Sequence, residues 1–219
     1  MDFLKLVKSR RSIHDFKTKK VNEEDLFYIL ESARWAPSAG NSQPWRFVVV
    51  RDKEVRKKFV FPCYNQKWVA QAPVLIVVCS NNEVERQFPK YGQLLEGHSI
   101  GAVIQTMLLS AESKGIGSCW VAISAENSIK KTLEIKNEKV HAVIALGYTR
   151  RKPYAPAPRL DSNALFYFDK WNEKETDYEM NKVGDTSKPL LAKKPVKKVI
   201  KKAKDTRDKY LRNKFGLGK

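Results

Sequence analysis

Ser9-Arg10-Arg11-Ser12-Ile13-His14 gathers two guanidinium groups, two hydroxyls and an imidazole into six consecutive residues. An arginine presents its N–H groups as a fork that matches the oxygens of a phosphate, so Arg10, Arg11, Ser12 and His14 make a candidate anion site. Charge alone also describes a solvated basic loop, because short runs of charge are usually surface. A second segment, Arg34 to Phe47, holds Pro37, Ser38, Ala39, Gly40, Asn41, Ser42, Gln43 and Pro44 between Trp35 and Trp45. It exceeds the roughly 2 to 6 residues that usually join a helix to a strand. Its two prolines each fix one backbone angle, so the loop has little conformational freedom to lose when it clamps a ligand. Cys119-Trp120-Val121 is a third candidate. A nucleophilic cysteine needs a base, none lies near it in sequence, and a buried structural thiol is the simpler expectation. Cys63, Cys79 and Cys119, like His14, His98 and His141, are scattered without a Cys-x-x-Cys pair, which supports neither a disulfide framework nor a zinc site.

These groups need elements to hold them. Phe3, Leu4, Leu6 and Val7 predict a short first helix. Asn22 followed by Asp25 marks the start of a second, whose Leu26, Ile29, Leu30 and Ala33 recur at helical spacing. Phe47 to Val50 and Val74 to Val78 are short β-branched runs that predict strands covered on both faces, with a charged helix over Glu54 to Phe59 between them. Residues 81 to 96 lack a period and predict a loop or mobile cover. The strongest helical pattern follows: Ile100, Val103, Ile104, Met107, Leu108 and Ala111, closed by Gly115. Ser118 to Ile123 and Val140 to Leu146 predict two more strands around a helix at Ser128 to Leu133, and Leu165 to Phe168 a last strand. Helices interleaved with such strands give an α+β domain in two or three layers.

Ala36-Pro37-Ser38-Ala39-Gly40-Asn41-Ser42-Gln43-Pro44-Trp45, preceded by Ser9 to Phe16 and followed in order by Gly115 to Trp120 and Ala145 to Tyr148, resembles the flavin-dependent nitroreductase family. The likeness spans roughly the first 170 residues, and four motifs in order are more specific than any one. It implies a mixed sheet of about four to five strands flanked by helices, in a homodimer that binds flavin mononucleotide (FMN) at the two-fold interface. By that resemblance, Arg10, Ser12 and His14 contact the FMN phosphate and ribityl chain, and Arg159 folds back onto the phosphate. Pro37, Ser38, Ala39 and Asn41 form a wall for the ring of the other subunit. Asn65, beside Gln66, meets the ring of its own subunit, and the main chain of Cys119, Trp120 and Val121 passes the ring edge near N5. Two positions depart from the family pattern: His14 replaces the usual Arg or Lys, and Ala122-Ile123 stands where some relatives carry Glu-Gly. The implied activity is oxidation of NADH or NADPH and reduction of a small conjugated acceptor, such as a nitro compound, quinone or flavin, in ping-pong order.

A chain of 219 residues with 42% hydrophobic composition suits one domain and an appendage, expected at 1–176 and 177–219. Residues 182 to 219 hold 14 Lys and Arg against 3 Asp, much of the total charge of +18. From Pro195 to Gly216, apolar residues at near-helical spacing alternate with lysines, a pattern of basic amphipathic helices that contact nucleic acid, anionic membranes or acidic proteins. The rival function is accordingly a nucleic-acid or anionic-surface binder built on the same scaffold. Charge interrupts the N-terminus before any signal-peptide core, and the longest apolar run falls far short of the ~20 residues that span a bilayer, so a cytoplasmic location is expected.

Overall fold

The structure, a computed structural model, describes residues 2–151 and 154–173. The chain divides into two compact units after Pro156. The domain boundary expected at residue 176 and the basic helix expected from Pro195 lie outside the described residues.

The first unit is built on two strands, β2 (Val74–Ser80) and β4 (Lys139–Gly147), paired antiparallel at the centre of a sheet. Their near-continuous Val, Ile, Leu and Ala runs are buried along both faces, as such a composition requires. β1 (Trp45–Val50) adds to the outside of β2 and β3 (Gly117–Val121) to the outside of β4, giving the order β1-β2-β4-β3 with every ladder antiparallel. Among the described residues the one parallel pairing is an isolated bridge from Ser12 to Ser118. β1 is less covered than its composition suggests: Phe47, Val48 and Val49 are half-buried because the strand lies at the sheet edge.

Helices α2 (Glu23–Ala33) and α5 (Gly92–Ser113) cover the face carrying Val74, Ile76, Val78, Ala142, Ile144 and Leu146. α2 starts where Asn22 accepts the Glu24 N–H at 3.0 Å, and Glu23, Glu24 and Asp25 place negative charge at its positive end. α5 stops at Gly115, whose φ of 68° is left-handed; the Ile116 N–H reaches back to the Ala111 carbonyl at 2.9 Å in a Schellman-type end. The opposite face, with Leu75, Val77, Cys79, Val143 and Ala145, is closed by Phe16, Phe59, Cys63, Val69 and by Ile129 of α6 (Glu126–Leu133). The result is three layers. α1 (Phe3–Ser9) and the short α3 (Lys53–Lys57) bury no side chain.

Two further expectations fail. Residues 81 to 96 are not an irregular cover: α4 (Glu83–Gln87) and the first turns of α5 occupy them. In the second unit, Leu165 to Phe168 forms no strand. Leu165 ends a helical turn, α7 (Ser162–Leu165), and aromatic β-propensity without a neighbouring strand cannot build a ladder.

Candidate functional site

The segment after α1 leaves the helix and runs against the outer edge of β3. The Ile13 N–H donates to the Ser118 carbonyl at 3.0 Å, and Phe16 bridges Thr149 beyond the end of β4. Gly117 permits this approach, since a Cβ there would lie 2.9 Å from Ile13 Cγ1 and 3.0 Å from the Gly147 carbonyl. Residues more than 100 positions apart thereby meet at one strand.

His14 is the centre of what they form. Its ring stacks on Trp68 with centroids 4.3 Å apart and planes at 24°, and its Nε2 lies 3.3 Å from Cys119 Sγ. Cys119 is buried, as expected of a structural thiol, yet the imidazole missing from its sequence neighbourhood is supplied in space. Trp68 is held in turn: its Nε1–H donates to Gln66 Oε1 at 3.1 Å, while Gln66 Nε2 donates to the Cys63 carbonyl. Gln66 therefore positions an aromatic ring. Asn65 sits just before it, exposed, with φ of 56°; Tyr64 is left-handed too, at 57°. Two successive non-glycine residues in that region store strain of the kind that clusters at ligand sites.

The two arginines separate. Arg11 Nη1 donates to the carbonyls of Lys8, Ser9 and Arg10 at 2.7 to 3.0 Å and its Nε to Tyr154 O, so this side chain closes the C-terminal end of α1. Arg10, half-buried beside it, makes no such commitment among the described residues. Arg150 and Arg151 both face Asp15 at 3.4 Å. Arg159 belongs to the second unit, where its Nη1 donates to Ala157 O at 3.4 Å.

On β3, Cys119 and Val121 point into the core, whereas Trp120 is 46% exposed and its ring edge lies above Gly101 of α5. Beyond Ser118, the outer edge of β3 pairs with no strand among the described residues.

The Pro37–Pro44 loop is held elsewhere on α5. The Ala39 N–H donates to Ser99 Oγ at 3.1 Å, the Gln43 N–H to Ser38 Oγ at 3.0 Å, and the Asn81 N–H to the Pro44 carbonyl at 2.9 Å. Asn41 and Gln43 have φ of 54° and 44°, which these bonds hold in place. Pro37 and Asn41 are exposed; Ser38 and Ala39 are half-buried. Ser99 and Gly101 are two residues apart, about 200° around the helix. The loop and the Trp120 ring thus occupy different sides of α5.

Sequence spacing missed Trp68 as a partner of His14 and missed the His14–Cys119 contact; 54 and 105 residues separate those pairs, and no local pattern spans such gaps. The other cysteines stay apart from this chemistry: burial pushes the Cys63 thiol up to about 12 and the Cys79 thiol up to about 11. Among the described residues no cluster of His, Cys, Asp and Glu could hold a metal ion, and no helix is long and apolar enough to cross a membrane.

The model of the nitroreductase family matches residues 7–63 and 60–148. An Archaeoglobus fulgidus protein provisionally named as an NADH dehydrogenase/NAD(P)H nitroreductase is 35% identical over 152 residues, covering 67% of this chain and 85% of its own. A Bacillus subtilis protein named as an NAD(P)H FMN reductase is 30% identical over 130 residues, 53% of this chain and 52% of its own. The crystal structure of a nitroreductase family protein from Streptococcus pneumoniae superposes with a TM-score of 0.68 at 27% identity, over 75% of this chain and 98% of its own.

Proposed function

The chain belongs to the nitroreductase family, and we propose that it is an FMN-dependent oxidoreductase that takes electrons from NADH or NADPH and passes them to a small conjugated acceptor: a nitro compound, a quinone or a flavin. The observation that carries this reading is the seating of the Arg10–His14 segment on β3 through Ile13 and Ser118. It sets an uncommitted guanidinium, a hydroxyl and an aromatic-clamped imidazole along the open edge of one strand, the donor set that a phosphate, a ribityl chain and a flat heteroaromatic ring require.

FMN, when bound, supplies hydride acceptance and two-electron transfer in ping-pong order, and the protein places and tunes it. Arg10 holds the phosphate as a charge-assisted fork. Arg11, spent on the end of α1, orients that fork rather than binding through its own Nη1. Ser12 and His14 line the sugar side, with Trp68 fixing the His14 ring. The main chain of Cys119, Trp120 and Val121 offers the ring its strand edge, and exposed Asn65 approaches from the same subunit. Arg159 is the proposed second cation for the phosphate.

The working unit is a homodimer. Pro37, Ser38, Ala39 and Asn41 lie on a different side of α5 from Trp120, so in one chain the wall and the strand edge do not face each other. A second copy brings them together. Exposed Phe3, Leu4 and Val7 on α1 supply apolar surface for that association. Free thiols at Cys63, Cys79 and Cys119 fit a reducing, cytoplasmic setting. The charge of residues 182 to 219 supports a separate, salt-sensitive contact with nucleic acid or another anionic partner.

Titration of FMN into the parent protein and Arg10→Ala tests the reading. A lost hydrogen bond to a charged group costs roughly 1.5 to 3 kcal/mol, a weakening of about 10- to 150-fold. Equal dissociation constants overturn the phosphate role of Arg10, and a parent that binds no FMN overturns the function.

A further inference from the structure

A second polar cluster lies at the other end of the central strands. The Ser80 hydroxyl closes β2, donates to Glu96 Oε1 at 2.5 Å and sits 2.7 Å from His141 Nε2. A hydroxyl has one proton to give. With that proton directed at the carboxylate, Ser80 Oγ must accept from His141, which fixes imidazole hydrogen on Nε2. Glu96 is only 1% exposed, and its Oε2 has no hydrogen-bond partner, although Lys139 Nζ and His141 Nε2 lie at 3.6 and 3.9 Å. The ladder between β2 and β4 skips His141, passing from Val78–Ala142 to Cys79–Val140, so the imidazole is brought to Ser80 by a bulge. Burying a carboxylate is costly, and an apolar residue at this point of α5 would avoid that cost.

Both ends of the Pro37–Pro44 loop hang from this cluster. The Pro44 carbonyl is bonded to Asn81, next to Ser80, and Trp45 is the strand partner of Ser80. At the other end, Ala39 is bonded to Ser99, three residues after Glu96 on α5. The Ser80–Glu96 bond is the tie between those two anchors. We propose that Glu96, held by the Ser80 hydroxyl that His141 orients, is a positioning residue that fixes the Pro37–Pro44 loop in the shape that walls the flavin of the partner subunit. The flavin part of this statement rests on the FMN reading; the anchoring part does not.

Hydrogen–deuterium exchange over residues 36–45, measured beside FMN titration for Glu96→Ala, Ser80→Ala and Glu96→Gln, tests it. The Ala variants are expected to speed exchange in this stretch and weaken FMN binding by about tenfold, the scale of one lost buried hydrogen bond. Exchange over 142–146, in the core of β4, stays slow. Glu96→Gln, which keeps an acceptor oxygen for Ser80, restores both. Unchanged exchange over 36–45 in the Ala variants, or failure of Gln to rescue, overturns the proposal. Ser80→Ala removes a single oxygen and carries the test if Glu96→Ala does not fold. A parent that takes up no FMN overturns the flavin role of the loop, and exchange then judges the anchor by itself.

Discussion

His14 and His141 reach their partners by similar means and end in opposite settings. Each is carried against a neighbouring strand by an irregularity in pairing, an isolated bridge for His14 and a bulge for His141. His14 stays exposed, stacked on an aromatic ring and beside a thiol. His141 is largely enclosed, with its Nε2 on a serine hydroxyl and a buried glutamate behind it. The open cluster has surface to offer a ligand; the closed one has only the shape of its own surroundings to defend. Polar side chains brought together by tertiary contact acquire their role from how much of them remains reachable, and residue type alone does not decide it.

The open cluster loses most when it is taken apart at its seat. Gly117→Val puts side-chain atoms where Ile13 and the Gly147 carbonyl already lie. Overpacking of this kind costs roughly 1 to 3 kcal/mol. We expect FMN affinity to fall at least as far as in Arg10→Ala, while far-ultraviolet circular dichroism keeps the helix signal of α2 and α5. Undiminished binding would mean that the pairing of Ile13 with Ser118 does not assemble the site.

That seat was the least legible part of the sequence. The central strands could be read directly, since Val74 to Val78 and Val140 to Leu146 are too apolar for any other place. Asn22 and Gly115 also act as their chemistry predicts, as cap and left-handed stop. The start of α5 was hidden because its buried face there is Glu96 and Ser99, polar residues that interrupt the stripe resumed at Ile100. The same buried polarity concealed the closed cluster altogether. At the open cluster, the motif around Arg10 was visible, but not that Arg11 would turn onto carbonyls, nor that Trp68 and Cys119 would flank His14. Those facts depend on which strand edges remain vacant after the sheet forms.

The closed cluster gives a smaller effect, sharpened by pH. Burial, opposed by Glu96, lowers the His141 pKa, with Lys139 acting in the same direction as burial and Glu126 against it. Between the unfolded value near 6.5 and the lower folded value, the unfolded chain binds the extra proton, so stability present above about pH 6.5 is lost as pH falls. His141→Gln removes this contribution. Thermal midpoints from pH 7.5 to 5 should fall less steeply in the variant, at about 2 to 4 °C per kcal/mol for a domain of this size. Parallel curves would show that His141 is not protonated at a cost on folding.

The smallest expected effect on flavin lies outside both clusters. Residues 183 to 219 carry most of the tail charge and lie outside the Arg10–His14, Pro37–Pro44 and Gly115–Trp120 sequence motifs. The phosphate contact proposed for Arg10 is short-range and charge-assisted, whereas attraction by a lysine-rich segment is long-range and screened within roughly 8 Å at physiological salt. The two should therefore separate under deletion. Removing residues 183 to 219 is expected to leave FMN content and NAD(P)H oxidation unchanged, and to reduce retention on heparin at low salt. Retention of the full chain should decline steeply as salt rises, since binding by phosphate neutralisation releases counterions. Loss of flavin on truncation would mean that the basic segment completes the site or the dimer, and function could then no longer be assigned to the open cluster alone.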